Sequence, residues 1–159
     1  MLPYTICFIS CKDNMLLLNR EKAPNMGLWN GVGGKIEKGE TPLQCIMREI
    51  YEETGHAIEH VSSRGEVVWH NEQGTSGMYL FFCELDESSV FADARSTPEG
   101  ILSWKRTPWI LDQKNQGVVD NIPYFLPIAM EGSVMSHQFI YKNSRIVQYK
   151  AVSLQSVSK

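Results

Sequence analysis

Apolar residues near the start of the chain fall into short runs separated by polar breaks. Tyr4–Ser10 is apolar and β-branched, Lys12–Asn14 is typical of a turn, and Met15–Asn19 is apolar again. These three segments predict an antiparallel hairpin. Residues 23–39 are rich in Gly, Pro and Asn, which predicts a loop around a short strand at Trp29–Val32.

A helical period follows between residues 41 and 55. Thr41 suits the N-cap position and Pro42 the first helical position. Gly55 suits the residue that ends the helix. Between them, apolar residues recur at helical spacing and predict a buried stripe, made of Leu43, Ile46, Met47 and Ile50.

The second half of the chain predicts mostly strands. Strand-like runs cover Val61–His70, Met78–Leu85, Gly100–Lys105, Ser136–Tyr141 and Arg145–Val152. Residues 142–144 predict the hairpin turn between the last two. Ile122–Met130, entered through Pro123, predicts a second and largely buried helix. The order of these elements favours a mixed sheet with helices packed on it, in one domain over residues 1–159.

Composition and charge add exclusions. The 159 residues are 43% hydrophobic and 21% charged, as is ordinary for a globular domain, and the net charge of −3 provides no basic field for a nucleic acid polymer. We expect no signal peptide and no membrane span. The four cysteines show no zinc-binding spacing, so we expect reduced, buried thiols and a cytoplasmic protein. A homodimer and a monomer both remain open.

Candidate chemistry is concentrated on the first helix. Glu49, Glu52 and Glu53 are spaced i, i+3 and i+4, so they share one helical face. Their mutual repulsion would be offset by a divalent cation, and hard oxygen ligands select Mg²⁺ or Mn²⁺ over zinc. Such a cluster can hold cations against a polyphosphate and activate a water molecule. The competing interpretation is a solvated acidic face.

Two further residues extend this pattern. Arg48 can pair with a carboxylate, for which Glu40 is the candidate, and so hold the preceding loop against the helix. Gly34 offers a bare backbone that a metal ion or a phosphate can approach closely.

The complete pattern resembles the signature box of the Nudix hydrolases, G-x5-E-x7-R-E-U-x-E-E-x-G-U, where U is aliphatic. Ile50 fills the first aliphatic position, and the fixed positions are matched by Gly34, Glu40, Arg48, Glu49, Glu52, Glu53 and Gly55. A chance match of seven fixed positions is on the order of one in a million at average residue usage. His56 occupies the second aliphatic position, and we expect Ala57 and Ile58 to supply the apolar contact there.

The resemblance implies an α/β/α sandwich of the α+β class and an enzyme that hydrolyses nucleoside diphosphates linked to another moiety. It implies that Glu49, Glu52 and Glu53 bind the metal with help from the Gly34 carbonyl. It also implies that Glu52 or Glu53 orients or deprotonates the attacking water, with Arg48 in the catalytic set. Glu99, just before a predicted strand, is a candidate for an additional ligand or base.

Residues outside the box suggest a substrate. Lys35 and Arg20 are candidates to donate hydrogen bonds to the phosphates. Thr5, Trp29–Lys35 and Asp120–Pro127 resemble the MutT-like branch of the family, which sanitises oxidised purine nucleotides. Asn30 can bind a purine edge through two hydrogen bonds.

The base-binding end departs from that branch in two ways. Asp120 and Asn121 stand where the oxidised-purine relatives carry an acidic pair, and Val119 replaces a tryptophan. Trp69, Phe81 or Trp109 are candidates to stack on the base in its place.

Three functions follow as hypotheses. The first is an 8-oxo-dGTP diphosphatase that releases the monophosphate and pyrophosphate through attack at the β-phosphorus, a role in DNA repair. The second is a Nudix hydrolase of another guanosine polyphosphate or of triphosphorylated RNA 5′ ends. The third is a nucleotide-binding sensor that has lost catalysis.

Overall fold

The computed structural model describes residues 1–22, 25–86 and 94–154. These residues form ten strands and three helices. The strands are β1 (Tyr4–Cys11), β2 (Asn14–Arg20), β3 (Trp29–Asn30), β4 (Val32–Lys35), β5 (Ser62–Asn71), β6 (Gly74–Glu84), β7 (Arg95–Thr97), β8 (Gly100–Arg106), β9 (Met135–Lys142) and β10 (Arg145–Ser153). The helices are α1 (Pro42–Thr54), α2 (Thr107–Leu111) and α3 (Ile122–Met130).

The strands form one mixed sheet in the order β10-β9-β5-β6-β1-β2-β8-β7. β1 pairs with β6, and β5 with β9, in parallel, while the other pairings are antiparallel. The mixed sheet predicted from the sequence is therefore confirmed. The hairpin of β9 and β10 turns through Asn143 and Ser144, whose φ angles are 53° and 64°, as in a type I′ turn.

The sheet forks between β1 and β2, and this fork shapes the candidate site. The two strands pair only from Ile9 to Cys11 on β1. Beyond that point β4 pairs with β1 at Tyr4–Cys7, and β3 pairs with β2. The prediction of one strand at Trp29–Val32 was wrong, since Gly31 separates two short strands that pair with different partners. A side chain at Gly31 would come within 2.7 Å of the Cys7 carbonyl oxygen, which explains the glycine there.

Helices cover both faces of the sheet, as expected for an α/β/α sandwich. On one face α1 contributes Ile46 and Ile50 to a core that includes Cys7 and Leu18. On the other face the apolar side chains of α2 and α3, among them Ile110, Phe125 and Leu126, pack on the opposite side of the same strands. The four cysteines are free and buried, as predicted.

The caps of α1 follow the sequence prediction. The Thr41 hydroxyl accepts the Gln44 N–H at 3.1 Å, the Gln44 side chain accepts the Thr41 N–H at 2.9 Å, and Gly55 takes a left-handed φ of 78°. The predicted buried stripe was wrong at Leu43, which is 51% exposed. The buried residues of α1 begin at Cys45, so the first turn extends beyond the part of the helix that covers the sheet.

Two elements lacked a usable sequence signal. β7 has three residues and α2 has five, and both are too short for a helical or strand period to develop. No helix in the described part of the chain is long and apolar enough to cross a membrane.

His137 makes the stability of this fold sensitive to acid. The ring is fully buried, and its Nδ1 lies 2.8 Å from the Tyr149 hydroxyl, while Nε2 has no hydrogen-bond partner in the described structure. Burial lowers the pKa of His137 to about 4, below the value near 6.5 in an unfolded chain. The unfolded state thus binds more protons between these values, so stability is complete above pH 6.5 and declines as the pH falls towards 4.

We expect this effect to reach roughly 3 kcal/mol of unfolding free energy at pH 4. Urea unfolding between pH 7 and 4.5 should show the wild type losing more stability than His137→Gln, because glutamine keeps a polar group beside Tyr149 but does not titrate. Parallel curves for the two proteins would show that His137 is not the group responsible.

Candidate active site

Glu53 is a carboxylate buried beneath the outer surface of α1. It is 5% exposed, and its Oε1 accepts a hydrogen bond from the Gly33 N–H of β4 at 3.1 Å. Burial, followed by repulsion from Glu49, raises the pKa of Glu53 to about 8, while the Gly33 N–H and Arg20 act in the opposite direction. A buried carboxyl whose pKa lies near neutrality is a group suited to proton transfer.

Glu49 lies one turn earlier, directly against Gly34. A Cβ placed on Gly34 would be 2.2 Å from Oε2 of Glu49, so only glycine leaves room for this carboxylate. Burial raises the pKa of Glu49, and Arg48 opposes the shift. The two-residue segment Gly33–Gly34 therefore holds Glu53 and Glu49 side by side at the fork of the sheet.

Arg48 gathers the remaining acidic groups. Its Nε and Nη2 donate to the two oxygens of Glu40 at 2.6 and 3.0 Å, which makes the predicted pair a bidentate one. The Arg48 guanidinium lowers the pKa of Glu40 to about 2. Nη1 also donates to Glu49 at 3.3 Å and to Glu52 at 3.1 Å, and Nη2 donates to the Lys35 carbonyl at 3.3 Å. Arg48 thus ties the loop before α1 to the acidic face of the helix.

Glu99 and Arg20, two further candidate residues, lie beside this cluster. β2 and β8 pair so that Arg20 is opposite Gly100, and the Glu21 N–H donates to the Glu99 carbonyl at 3.2 Å. The charge of Glu99 contributes to the raised pKa of both Glu49 and Glu53, whereas that of Arg20 lowers the pKa of Glu53. The fork therefore brings together acidic and basic groups from α1, β2 and the turn before β8.

The oxygens of this site suit a hard divalent cation. Burial and mutual repulsion raise the pKa of Glu49 and Glu53, and a cation would relieve that crowding of negative charge. The predicted cage of three glutamates is not assembled, however. Across residues 1–22, 25–86 and 94–154, no three His, Cys, Asp or Glu side chains converge closely enough to hold an ion. Glu52, whose side chain is 55% exposed, pairs with Arg48 instead.

Thr5, predicted as a substrate contact, is a buried support for the backbone of the site. It is 3% exposed, and its hydroxyl donates to the Gly34 carbonyl at 3.3 Å and lies 3.2 Å from Cys45 Sγ. Cys45 carried no signal in the sequence, yet its thiol also reaches the Gly34 and Lys35 carbonyls at 3.8 and 3.5 Å. Both side chains therefore position the Gly34 carbonyl from below, while Lys35 itself is exposed.

The candidate base-binding residues lie on the other arm of the fork. The Trp29 N–H donates to the Gly117 carbonyl, and the Val119 N–H donates to the Trp29 carbonyl, at 2.8 and 3.1 Å. These bonds place the segment that leads to Asp120 and Asn121 alongside β3, where Asn30 lies. The Asn30 side chain accepts the Gly31 N–H at 2.8 Å and keeps its amide hydrogens for other partners.

The three candidate stacking aromatics have different surroundings. Phe81 is 7% exposed within the core under α1, so its prediction as a base contact was wrong. Trp69 is partly buried against the core on the α3 face. Trp109 is 40% exposed, and the ammonium of Lys105 lies 5.6 Å from its ring and 4.4 Å from that of Trp29. Trp109 is the one of the three that combines exposure with a position near β3.

Fold and site together define a class: an α/β/α sandwich whose first helix presents clustered glutamates to a glycine-rich strand at a fork of the sheet. The NUDIX domain family model matches residues 2–111. The chain therefore belongs to the Nudix hydrolase family and is a pyrophosphohydrolase. Enzymes of this family act on nucleotide substrates and generally use divalent metal ions.

Individual relatives are more distant. The uncharacterized Nudix hydrolase YvcI of Bacillus subtilis (strain 168) is 27% identical over 135 residues, which cover 84% of this chain and 82% of YvcI. The NAD-capped RNA hydrolase NudC of Vibrio parahaemolyticus is 29% identical over 82 residues, 52% of this chain and 31% of NudC. The oxidized purine nucleoside triphosphate hydrolase of Mus musculus is 31% identical over 64 residues, 40% of this chain and 41% of the mouse enzyme.

The solved structures support the same fold. A MutT protein from Bacillus halodurans superposes with a TM-score of 0.70 at 23% identity, covering 95% of this chain and 97% of that one. The shared architecture extends over almost the whole chain, and at this identity the likeness concerns the fold alone.

Proposed function

We propose that this protein hydrolyses a nucleoside triphosphate to the monophosphate and pyrophosphate, with an oxidised guanine nucleotide, 8-oxo-dGTP, as its preferred substrate. The hydrolytic part is supported by one observation above the others. Glu53 and Glu49 are held side by side against Gly33 and Gly34, inside a complete Nudix box.

The metal that we propose is Mg²⁺ or Mn²⁺, held by Glu49, Glu53 and the Gly34 carbonyl, with Glu52 joining when it leaves Arg48. When bound, such a cation would neutralise phosphate charge and activate a water molecule. Other residues of the chain position these ligands. Thr5 and Cys45 orient the Gly34 carbonyl, and Arg48 holds the acidic face of α1 in place.

We assign the general base to Glu53 rather than to Glu52. Glu53 is buried and fixed by the Gly33 N–H, so its second oxygen can orient the attacking water in one geometry. Glu52 is half exposed and already paired with Arg48. Glu99 adds negative charge beside both Glu49 and Glu53. We propose it as the additional ligand or second base of the site.

Lys35 and Arg20, on opposite arms of the fork, are the residues that we propose to donate hydrogen bonds to the phosphates. Lys35 is exposed at the end of β4, and Arg20 ends β2 beside the Glu53 carboxylate. A triphosphate placed along the glycine strand would meet a cationic group at either side, which favours binding by charge neutralisation.

The preference for an oxidised guanine is supported by two features. The mouse relative is named as an oxidized purine nucleoside triphosphate hydrolase, and Asn30, Asp120 and Asn121 collect hydrogen-bonding groups beside β3. We also propose a reducing compartment, the cytoplasm, because the four cysteines are free.

A substrate panel tests this proposal. We expect kcat/KM for 8-oxo-dGTP to exceed that for dGTP by about tenfold or more. A polar pocket binds the oxidised base more tightly when it forms hydrogen bonds with the C8 oxygen and the N7–H that oxidation adds. Pyrophosphate and phosphate should be measured separately, and chelation of divalent ions should abolish both. A ratio near one would remove the oxidised-guanine preference, and a higher rate on another guanosine polyphosphate or on triphosphorylated RNA would favour the second hypothesis.

A further inference from the structure

Three side chains form a hydrogen-bonded chain between the start of α3 and the end of β9. The hydroxyl of Tyr141 donates to Oδ1 of Asp120 at 2.8 Å. The side chain of Asn121 forms a hydrogen bond with the same hydroxyl. Asn121 is 5% exposed, and its Oδ1 has no hydrogen-bond partner among the residues that the structure describes.

The chemistry of these groups sets the direction of every bond in this chain. An ionised carboxylate only accepts, so the single proton of the Tyr141 hydroxyl goes to Asp120. The oxygen of Tyr141 is then left as an acceptor, and the group of Asn121 that faces it must be the amide NH₂. The amide oxygen of Asn121 consequently points away from Tyr141, which agrees with the absence of a donor near it.

Two acceptors remain available at this edge, namely Oδ2 of Asp120 and Oδ1 of Asn121. A buried amide oxygen without a donor is costly, so the site is incomplete until a ligand supplies an N–H group. Guanine presents two adjacent donors, N1–H and the exocyclic amine, on one edge. Adenine presents a donor beside an acceptor, and its acceptor nitrogen would face a protein oxygen.

We infer that Tyr141 is a positioning residue that fixes Asp120 and Asn121 as a pair of acceptors and thereby selects a guanine-type over an adenine-type base. This inference rests on the proposed function, in which Asp120 and Asn121 face the base. It assigns the preference to a residue that contacts neither the phosphates nor the acidic helix. Oxidation at C8 leaves this edge unchanged, so the selection applies to oxidised and ordinary guanine alike.

The test compares 8-oxo-dGTP with 8-oxo-dATP, which carry the same C8 oxygen and differ at this edge. The wild type should favour the guanine nucleotide by at least about a hundredfold in kcat/KM. Tyr141→Phe should reduce that ratio roughly tenfold through KM, with kcat little changed, because the two acceptors are no longer held in one arrangement.

Asp120→Asn provides a test of polarity. The Tyr141 hydroxyl would still donate to the side-chain oxygen at position 120, which turns the new NH₂ group towards the base. One donor and one acceptor then match the adenine edge, so the ratio should fall by more than tenfold as the rate on 8-oxo-dATP rises. A merely structural role for Tyr141 would lower both rates together in both variants.

Tyr149→Phe is the matched control. It removes another tyrosine hydroxyl from the same hairpin, one that lies 2.8 Å from His137 rather than near Asp120. It should leave the guanine-to-adenine ratio at the wild-type value. Thermal midpoints of all three variants identify any that fail to fold, and Asp120→Asn, which keeps the shape of the side chain, then carries the test.

Calorimetric binding of dGMP and dAMP to the wild type separates this inference from the proposed function. A guanine preference in binding that Tyr141→Phe weakens supports the inference even if no triphosphate is hydrolysed, in which case only the proposed function fails. Equal affinity for dGMP and dAMP, or an unchanged ratio in Tyr141→Phe, would overturn the role of Tyr141.

Discussion

Replacing Glu53 with Gln is expected to lower kcat by about 10³-fold, the range that loss of a general base produces. The amide keeps the size of the side chain but cannot accept a proton from water. KM should change much less, because the proposed role of Glu53 is to orient the attacking water and not to contact the nucleobase or the phosphates. Steady-state kinetics on 8-oxo-dGTP at saturating Mg²⁺ would measure both quantities.

The same substitution should stabilise the fold when no cation is bound. The pKa of Glu53 is raised to about 8, whereas that of an unfolded glutamate is about 4.5. The folded state therefore retains a proton that the unfolded state loses, so the stability from this group is complete below pH 4.5 and is lost as the pH rises to 8. Above pH 8 in a chelating buffer, the free energy of unfolding of Glu53→Gln should exceed that of the wild type by on the order of 4 kcal/mol.

Glu59→Gln is the control for both measurements. Glu59 makes the same chemical change possible at an exposed position just after α1, outside the box. It should alter neither kcat nor stability. Unchanged turnover in Glu53→Gln would mean that Glu53 is not the general base, whereas nucleotide binding by the wild type without any hydrolysis would favour the sensor hypothesis.

The acidic face of α1 was accessible from the sequence because its geometry is local. Helical spacing alone places Glu49, Glu52 and Glu53 on one side, and the caps at Thr41 and Gly55 set the ends of the helix. The pair between Arg48 and Glu40 could also be anticipated, since a long basic side chain in the second turn of a helix can reach back to the loop before it.

The burial of each glutamate side chain could not be predicted from the sequence in this way. Glu53 is buried and Glu52 is exposed, although they are neighbours, because β4 lies against one side of the helix only. That contact depends on the fork, in which β4 replaces β2 as the partner of β1. Spacing along a helix shows which residues share a face but not what covers it.

Pairs that are distant along the chain were also missed. Tyr141 reaches Asp120 across 21 residues, and Thr5 supports Gly34 across 29. The first contact depends on the packing of α3 against β9, where Tyr124 contacts Phe139, and the second depends on the antiparallel pairing of β4 with β1. A pattern of hydrophobic and polar positions predicts strands but not which strands are neighbours.

The adjacent glycines 33 and 34 provide the second large prediction, because an added methyl group meets a different obstacle at each. At Gly33, a Cβ would lie 2.1 Å from the Thr5 carbonyl oxygen, which belongs to the backbone of β1. At Gly34, it would lie 2.2 Å from the end of the Glu49 side chain, which can rotate away. We therefore expect Gly33→Ala to damage the fold and Gly34→Ala to damage the site.

Gly33→Ala should reduce the free energy of unfolding by about 2–4 kcal/mol, since β4 must separate from β1 to admit the methyl group. Gly34→Ala should keep a thermal midpoint near that of the wild type and lose about 10²-fold in kcat, because displacing Glu49 by an ångström disturbs the acidic pair. Urea unfolding and steady-state kinetics on both variants separate the two effects. Full activity in Gly34→Ala would show that the contact between Glu49 and Gly34 is dispensable, and the acidic pair would lose its claim to be the reactive centre.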